Sequence, residues 1–356
     1  MAPVTIKANA RAWYDAATGA SESTHWVAPP LVDDGTDLYA FLQDTGGSPR
    51  LRCYKADSRI NPSSWTEQDS SNAPTVTNAN YPFIVKRHGT VADVFVFTAA
   101  TTITHYTFDL SSNVWASGFG NATTVASPKR NLRCARRSDN DLLLFYTSSA
   151  DPADLGWSRY EGVSWTDAAT GLFNSGASAE GSHVCDAQMD STDRCIVVYV
   201  NALGDDLEYK TINSSNTVSS AADIETLLAT NDQQYLIGGR FSLFDASGTD
   251  TIVTAYGNTS PTLFSRNLSG ESDAATGNLS AEVSVDVAGG ASTFRSAIHT
   301  TRLSSTDYCA YFDDATNGSV VYSTRSAGTG AWSGRTAFVT GIATGSTSSA
   351  PLGMVV

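Results

Sequence analysis

The sequence predicts an all-β fold, on the basis of its composition and the patterning of its apolar residues. Charged residues make up 16% of the 356-residue chain, against about a quarter in ordinary soluble proteins. The deficit is filled by Ser, Thr, Asn and Gly, which suit strands and turns better than helices. No segment shows a sustained 3.6-residue apolar period, and the best helix candidate is the short stretch 221–229.

An aspartate just before an apolar run recurs six times along the chain. The six are Asp37, Asp93, Asp141, Asp193, Asp250 and Asp307, at intervals of 56, 48, 52, 57 and 57 residues. Because most positions in each run are apolar, the runs are typical of strands buried on both faces. The predicted core positions lie two and four residues after each aspartate: Tyr39, Phe41, Phe95, Phe97, Leu143, Phe145, Cys195, Val197, Ile252, Thr254, Cys309 and Tyr311. We expect the aspartates to cap turn amides.

Three further extended segments complete each repeat. One precedes the aspartate, as in 25–32 and 81–88, and one after the apolar run carries an aromatic residue: Tyr54, Tyr106, Trp157, Tyr209, Phe264 or Tyr322. A last strand follows, and in four repeats a tryptophan opens it: Trp65, Trp115, Trp165 and Trp332. Repeats of four antiparallel strands are typical of a β-propeller. Two β-sandwiches with similar hairpins are the less regular alternative.

We therefore predict a single β-propeller of six four-stranded blades. The predicted blades span 24–73, 74–126, 127–180, 181–235, 236–291 and 292–345. Segment 12–19 nearly duplicates 164–171, which opens a last strand, so residues 1–20 and 346–356 are expected to supply closing strands. A seventh, degenerate blade shared by the termini is the alternative.

With this order of strands and turns, the chain resembles the sialidase-like propellers that carry Asp-box repeats. In that superfamily an S-x-D-x-G-x-x-W turn joins the third and fourth strands, and its tryptophan packs between blades. The matching segments are 55–65, 108–115, 159–165 and 325–332; all keep the tryptophan and none keeps the full box. The architecture fits propeller lectins equally well. We expect the four tryptophans to be core residues rather than sugar-stacking ones.

Residues that open the first strands are predicted to ring the mouth of a central funnel. They are His25, Tyr81, Arg133, His183, Arg240 and Arg295. Since guanidinium groups form bidentate pairs with carboxylates, the three arginines are candidates for binding an acidic ligand. The resemblance implies that this triad would clamp sialic acid, with Tyr235 as nucleophile and Glu225 as its partner. The family's other catalytic signatures are absent, so we expect a polar channel, with ligand binding and then catalysis as the alternatives.

Composition also limits the partners and cofactors. The net charge of −14 disfavours nucleic acid and anionic membranes, which would be repelled. The sequence has no run of 18 apolar residues, so no membrane span is predicted, and the N-terminus has no signal-peptide pattern. No cofactor or metal fingerprint is present, and paired aspartates such as Asp33 and Asp34 are expected to be solvated. We therefore expect no cofactor and no metal.

The low-charge composition is typical of a protein displayed outside a cell, although the sequence shows no export signal. A component of a phage or virus particle would combine both properties, since it is made in the cytoplasm and released by lysis. The leading hypothesis is therefore a non-catalytic, virion-associated propeller, such as a tail, fibre or head-decoration protein. Its expected partners are a cell-surface glycan or other virion subunits. The alternatives are a sialidase-type glycoside hydrolase and a lectin-like glycan-binding protein of a bacterium.

Overall fold

The computed structural model contains only β-strands as regular elements among the residues that it describes. These are residues 31–43, 50–59, 62–75, 83–99, 102–116, 121–124, 128–148, 154–161, 164–167, 173–174, 183–190, 192–201, 206–225, 241–245, 250–256, 263–269, 279–281, 283–285, 299–302, 307–314, 319–326 and 331–340. This part of the chain has no helix with the length and apolarity needed to cross a bilayer.

The strands form six antiparallel sheets in chain order. Sheet 1 contains β1 (Leu31–Asp33), β2 (Leu38–Gln43), β3 (Leu51–Ala56) and β4 (Trp65–Gln68). Sheet 2 contains β5 (Phe83–His88), β6 (Val91–Ala99), β7 (Thr102–Asp109) and β8 (Val114–Trp115), with β9 (Asn121–Thr124) also paired to β7. Sheet 3 contains β10 (Pro128–Arg136), β11 (Leu142–Ser148), β12 (Asp154–Tyr160) and β13 (Trp165–Asp167), with β14 (Phe173–Asn174) also paired to β12.

The second half of the chain repeats this plan. Sheet 4 contains β15 (His183–Met189), β16 (Cys195–Asn201), β17 (Asp206–Ile212) and β18 (Ala222–Glu225). Sheet 5 contains β19 (Phe241–Asp245), β20 (Asp250–Tyr256), β21 (Leu263–Ser269) and β22 (Val283–Ser284). Sheet 6 contains β23 (His299–Arg302), β24 (Asp307–Asp314), β25 (Ser319–Ser326) and β26 (Thr336–Thr340).

The first strands of consecutive sheets lie side by side. Contacts join β1 to β5, β5 to β10, β10 to β15, β15 to β19 and β19 to β23. Sheets arranged in this way around their innermost strands form a six-bladed β-propeller, and the predicted fold class is confirmed. The blade limits stay predictions, and the proposed closing segments 1–20 and 346–356 lie outside the described residues.

The second strand of each sheet is buried on both faces, where its side chains are described. Phe41 of β2 belongs to a buried cluster with Val94 of sheet 2. The next residue along β6, Phe95, packs on the other side with Leu144 of sheet 3. Because successive side chains of a strand point to opposite faces, one apolar run serves two neighbouring interfaces.

Tryptophans of the fourth strand pack against the preceding sheet. The ring of Trp115 lies 5.9 Å from that of Phe41, and Trp165 lies 5.6 Å from Phe95, both edge-to-face. In sheet 6, Trp332 Nε1 donates a 2.8 Å hydrogen bond to Ser265 Oγ of sheet 5. These tryptophans are therefore contacts between blades.

Sheets 4 and 5 place aliphatic residues at the tryptophan position. Val218 bridges Ile212, and Leu279 bridges Leu268, as Trp115 pairs with Phe108 in sheet 2. In the last three sheets a serine comes directly after the tryptophan position. Its Oγ accepts a backbone N–H of the third strand at 2.9–3.0 Å: Ser219 from Thr211, Ser280 from Asn267 and Ser333 from Thr324. The repeat is therefore six-fold although only four tryptophans mark it.

Turn capping differs from the expectation for the repeated aspartates. Asp34 Oδ1 accepts the amide of Thr36 at 2.7 Å and that of Asp37 at 2.6 Å. The carboxylate of Asp37 itself pairs with Lys55 Nζ at 2.6 Å. In sheet 4 the cap is Asp190, three residues before the repeated aspartate. Asp33 Oδ1 also accepts the amide of Gly35 at 2.7 Å, and in sheet 3 Asp139 Oδ1 accepts that of Asp141 at 3.0 Å. In these turns an acidic residue upstream of the repeated aspartate therefore supplies the cap, because it precedes the amides by two to four residues.

The fourth repeat is shifted by one residue. Asp193 has a φ of 61° in the turn before β16, and its Oδ1 accepts the amide of Ser138 from sheet 3 at 2.8 Å. The turn before β11 of sheet 3 has the same backbone bonds, with Asn140 at a φ of 79°, so Asp193 is equivalent to Asn140 and not to Asp141. Cys195 and Val197 therefore pack with Phe145 of sheet 3, whereas Phe41 faces the following sheet. A one-residue shift reverses the face of every side chain in a strand, so Cys195 is equivalent to Leu142 rather than to Leu143.

One buried carboxylate joins sheets 2 and 3. Asp93 has no exposed surface, and its oxygens lie 2.9 Å from His105 Nε2 and 2.5 Å from Arg136 Nη2 of sheet 3. Burial by itself would raise the pKa of Asp93, but the hydrogen bonds and charges of His105 and Arg136 outweigh it and lower the pKa. The carboxylate is therefore ionised in the folded protein at neutral pH.

Replacing this carboxylate should destabilise the fold strongly. We expect Asp93→Asn to lower the free energy of unfolding by about 3–5 kcal/mol at pH 7, because Arg136 loses its counter-ion. The control is Glu161→Gln, which breaks an exposed 2.5 Å pair with Arg159 and should cost at most about 1 kcal/mol. Urea unfolding measures both values, and equal losses would contradict the assignment.

The same variant has a defined pH dependence. A lowered folded-state pKa stabilises the protein fully above the unfolded value of about 3.9, and that stabilisation is lost as the pH falls through the folded value. The stability difference between the wild type and Asp93→Asn should therefore be constant near neutral pH and shrink below about pH 4. A difference that grows on acidification would contradict this.

The bond between sheets 5 and 6 should be measurable as a coupled pair. We expect Trp332→Phe and Ser265→Ala each to cost about 1 kcal/mol or more of unfolding free energy, because each removes the short hydrogen bond of a buried polar group. The double variant should cost less than the sum of the two. Strict additivity in urea unfolding would show that the 2.8 Å bond contributes nothing.

Candidate ligand-binding site

The predicted funnel residues lie mostly outside the described part of the chain. Arg133 is half-buried in β10, and its Nη1 donates to Leu132 O at 2.8 Å. His183 begins β15 and Glu225 ends β18, but their side chains are not described. The other candidates lie outside the described residues: His25, Tyr81, Tyr235, Arg240 and Arg295. Their convergence stays a prediction.

A first group of polar and aromatic side chains lies on one face of sheet 1. Cys53 of β3 points toward sheet 2, so its neighbours Arg52 and Tyr54 point to the opposite face. In β4, Glu67 pairs directly with Tyr54, and Trp65 lies two residues earlier on the same face. We call Arg52, Tyr54, Trp65 and Glu67 the sheet 1 cluster.

An ion pair within reach of solvent forms the centre of the sheet 1 cluster. Arg52 Nη1 lies 2.5 Å from Glu67 Oε1, and each side chain is 26% exposed. Tyr54 and Trp65 are half-buried beside it. The indole N–H of Trp65 has no hydrogen-bond partner among the residues that the structure describes.

This combination matches a ligand that has both hydroxyl groups and an apolar face. A guanidinium supplies only donors and a carboxylate only acceptors, while each hydroxyl of a ligand both donates and accepts. Aromatic rings supply flat apolar surface next to a polar tip. The cluster therefore offers all three kinds of contact on adjacent strands.

A second polar group lies on the face of sheet 4 that is turned toward sheet 3. Tyr199, Glu208 and Asp223 are paired across three adjacent strands, and the hydroxyl of Tyr199 donates a short hydrogen bond to Glu208 Oε2. Lys210 lies on the same face, two residues beyond Glu208. We call Tyr199, Glu208, Lys210 and Asp223 the sheet 4 cluster.

Burial dominates the electrostatics of the sheet 4 cluster. It raises the pKa of Tyr199, with further increases from Glu208 and Asp223. It also lowers the pKa of Lys210, which Glu208 partly restores. Glu208 is 8% exposed and Tyr199 is 2% exposed, whereas Lys210 and Asp223 are only half-buried. A ligand would therefore meet Lys210 and Asp223 first.

Trp157 lies in the same buried interface, on the side of sheet 3. It belongs to one cluster with Phe145 and Tyr199 and is 4% exposed. Its indole N–H makes no hydrogen bond in the described part of the protein. The indole N–H groups of Trp115 and Trp165 also make no hydrogen bond among the described residues, so this feature does not by itself mark a ligand position.

The described residues include no group of three or more His, Cys, Asp or Glu side chains that could hold a metal ion. The adjacent aspartates Asp33 and Asp34 of sheet 1 bond to protein groups. Asp33 pairs with Arg59 at 2.7 Å, and Asp34 caps the turn that follows β1.

No protein-family model and no curated protein matches the chain. Solved structures do match at low identity. The fucose-specific lectin from Aleuria aurantia has a TM-score of 0.54 at 14% identity, covering 87% of this chain and 94% of that one. The SapL1 lectin in complex with α-methyl fucoside scores 0.51 at 10% identity, covering 89% and 96%. AofleA from Arthrobotrys oligospora scores 0.51 at 11% identity, covering 88% and 84%.

These similarities bear on the fold and on the resemblance drawn from the sequence. The Aleuria aurantia lectin is described as a six-bladed β-propeller, which agrees with the six sheets found here. The resemblance to sialidase-like propellers is wrong, because the similar solved structures are fucose-binding lectins. Three of the four tryptophans that suggested it, Trp115, Trp165 and Trp332, pack between blades, and such packing is not specific to an Asp-box turn.

Removing the hydroxyl of Tyr199 should expose its role in the sheet 4 cluster. We expect Tyr199→Phe to lower the free energy of unfolding by about 1.5–3 kcal/mol, because a buried carboxylate loses a donor. Tyr106→Phe is the control, since the hydroxyl of this half-buried tyrosine has no hydrogen bond within the described residues. Equal effects of the two substitutions on urea unfolding would contradict the assignment.

Proposed function

We propose that this propeller is a lectin-like protein, which binds a hydroxyl-rich saccharide through the sheet 1 cluster. The observation that carries the proposal is the Arg52–Glu67 pair, a quarter exposed, beside the half-buried rings of Tyr54 and Trp65. The propeller fold shared with the fucose-specific lectin of Aleuria aurantia supports it.

The physical basis is complementarity between the ion pair and sugar hydroxyls. Hydrogen bonds to charged groups are about twice as strong as neutral ones, and Arg52 and Glu67 present donors and acceptors 2.5 Å apart. The apolar C–H face of a sugar ring can pack on an aromatic side chain while its hydroxyls reach the charges. Partly exposed ion pairs contribute about 0–1 kcal/mol to folding, so this pair can be changed without unfolding the protein.

The hypothesis drawn from the composition is kept for the biological setting: the protein is displayed on a phage or virus particle and attaches it to a cell-surface glycan. The funnel residues are the second candidate site, because the single described member, Arg133, is also half-buried and cationic. Binding of an acidic ligand there is a separate possibility from saccharide binding at sheet 1. Substitution of Arg52 or of Arg133 distinguishes the two sites.

A glycan array tests the proposal with matched arginine variants. We expect the wild type to bind at least one neutral glycan, and Arg52→Ala and Glu67→Gln to weaken that binding tenfold or more, which corresponds to about 1.4 kcal/mol. Arg159→Ala is the control, because Arg159 forms a comparable pair with Glu161 on sheet 3. Urea unfolding confirms that all variants are folded.

Two results would overturn the assignment to sheet 1. Binding that survives Arg52→Ala and Glu67→Gln but is lost in Arg133→Ala would transfer the site to the funnel. Absence of binding to every neutral and acidic glycan of the array would reject the saccharide-binding function.

A further inference from the structure

The strand position of Arg52 has a counterpart in every sheet. In five sheets the pairing of the third strand with the tryptophan position defines the equivalence: Ala56 with Trp65, Phe108 with Trp115, Tyr160 with Trp165, Ile212 with Val218 and Leu268 with Leu279. In sheet 6 the bond from Ser333 N to Thr324 O places Trp332 opposite Arg325. Four residues earlier on each third strand stand Arg52, Thr104, Gly156, Glu208, Phe264 and Val321.

Four of these six positions carry an uncharged residue; burial alone does not distinguish them, because Glu208 is itself 8% exposed. Thr104, Phe264 and Val321 are 7%, 2% and 4% exposed, respectively. Gly156 has no side chain, and the ring of Tyr146 covers it so closely that a Cβ there would lie 2.3 Å from Tyr146 Cε2. No charged group stands at the equivalent position in sheets 2, 3, 5 and 6.

Sheet 4 is the exception, because it carries a charged residue at this position as sheet 1 does. Glu208 occupies the place of Arg52, and Asp223 lies beside it on β18 as Glu67 lies near Arg52 on β4. Trp65 lies beside the first group on β4, and Trp157 of the neighbouring sheet 3 packs in one cluster with Tyr199 of the second. We infer that the protein has two saccharide sites, at sheets 1 and 4, rather than one in each blade. This inference rests on the saccharide-binding function proposed above.

The charges of the two sites also restrict the class of saccharide. The sheet 4 cluster offers the carboxylates of Glu208 and Asp223 as acceptors, and the ammonium of Lys210 as a donor. The sheet 1 cluster pairs one carboxylate with one guanidinium. A carboxylated sugar would bring a further negative charge beside two carboxylates at sheet 4, and like charges at short range repel. Both sites therefore suit neutral saccharides, whose hydroxyls can pair with each of these groups.

Binding stoichiometry tests the number of sites. The probes are the methyl glycosides of fucose, galactose, mannose and N-acetylglucosamine, each titrated by calorimetry and by native mass spectrometry. We expect two equivalents of the tightest binder for the wild type. Arg52→Ala and Glu208→Gln should each leave one equivalent, and the double variant none. Asp223→Asn, at a half-buried position, is the milder variant if Glu208→Gln does not fold.

The outcomes separate this inference from the function on which it rests. One equivalent, abolished by Arg52→Ala, would overturn the second site and leave the proposed function intact. Five or six equivalents would overturn the two-site inference. No binding of any probe or array glycan would reject both. Binding of methyl α-sialoside as tight as that of the neutral probes would overturn the restriction to neutral saccharides, whereas binding at least tenfold weaker would support it.

Discussion

The carboxylate of Asp93, which has no exposed surface, is held between two blades by Arg136. Arginines also bridge other interfaces: the exposed Arg87 donates to backbone carbonyls of sheet 1, whereas the buried Arg137 and Arg325 reach a turn of sheet 4 and Asn267 of sheet 5, respectively. In a ring of sheets that are buried on both faces, a polar group at an interface must find its partner in the neighbouring blade, since an unpaired buried charge costs several kcal/mol. The long planar side chain of arginine can span that gap, and these contacts fix how the blades meet.

Much of the architecture is predictable because burial on both faces leaves a near-continuous apolar run, and six such runs mark six blades. The details that sequence reasoning missed depend on local geometry. Val218 and Leu279 replace tryptophan without changing the pairing. The aspartate of the fourth repeat, Asp193, stands at the turn position that Asn140 takes in sheet 3, one residue before the position of Asp141, and no composition or period reveals this. The family resemblance was wrong for a related reason: tryptophans between blades are a requirement of packing, and the turn motif that would identify the family is incomplete in every repeat.

The candidate site was harder to predict than the fold. Arginines at the openings of the first strands attract attention in the sequence, whereas Arg52 and Glu67, or Glu208 and Asp223, are ordinary charged residues 15 positions apart. They become neighbours only through the register of two antiparallel strands, and the register depends on turn lengths that differ between repeats. Comparison of equivalent positions around the ring then separates sheets 1 and 4 from the other four, where the same position carries an uncharged residue.

We propose that a saccharide binds on the face of sheet 1 rather than in the axial funnel. The most direct measurement is a crystal structure of the protein in complex with the neutral glycan that gives the strongest array signal. We expect sugar hydroxyls within about 2.7–3.2 Å of the Arg52 guanidinium and the Glu67 carboxylate, with the ring of Trp65 or Tyr54 against the sugar. Density for the sugar at the funnel, near Arg133, with the sheet 1 cluster empty, would contradict it.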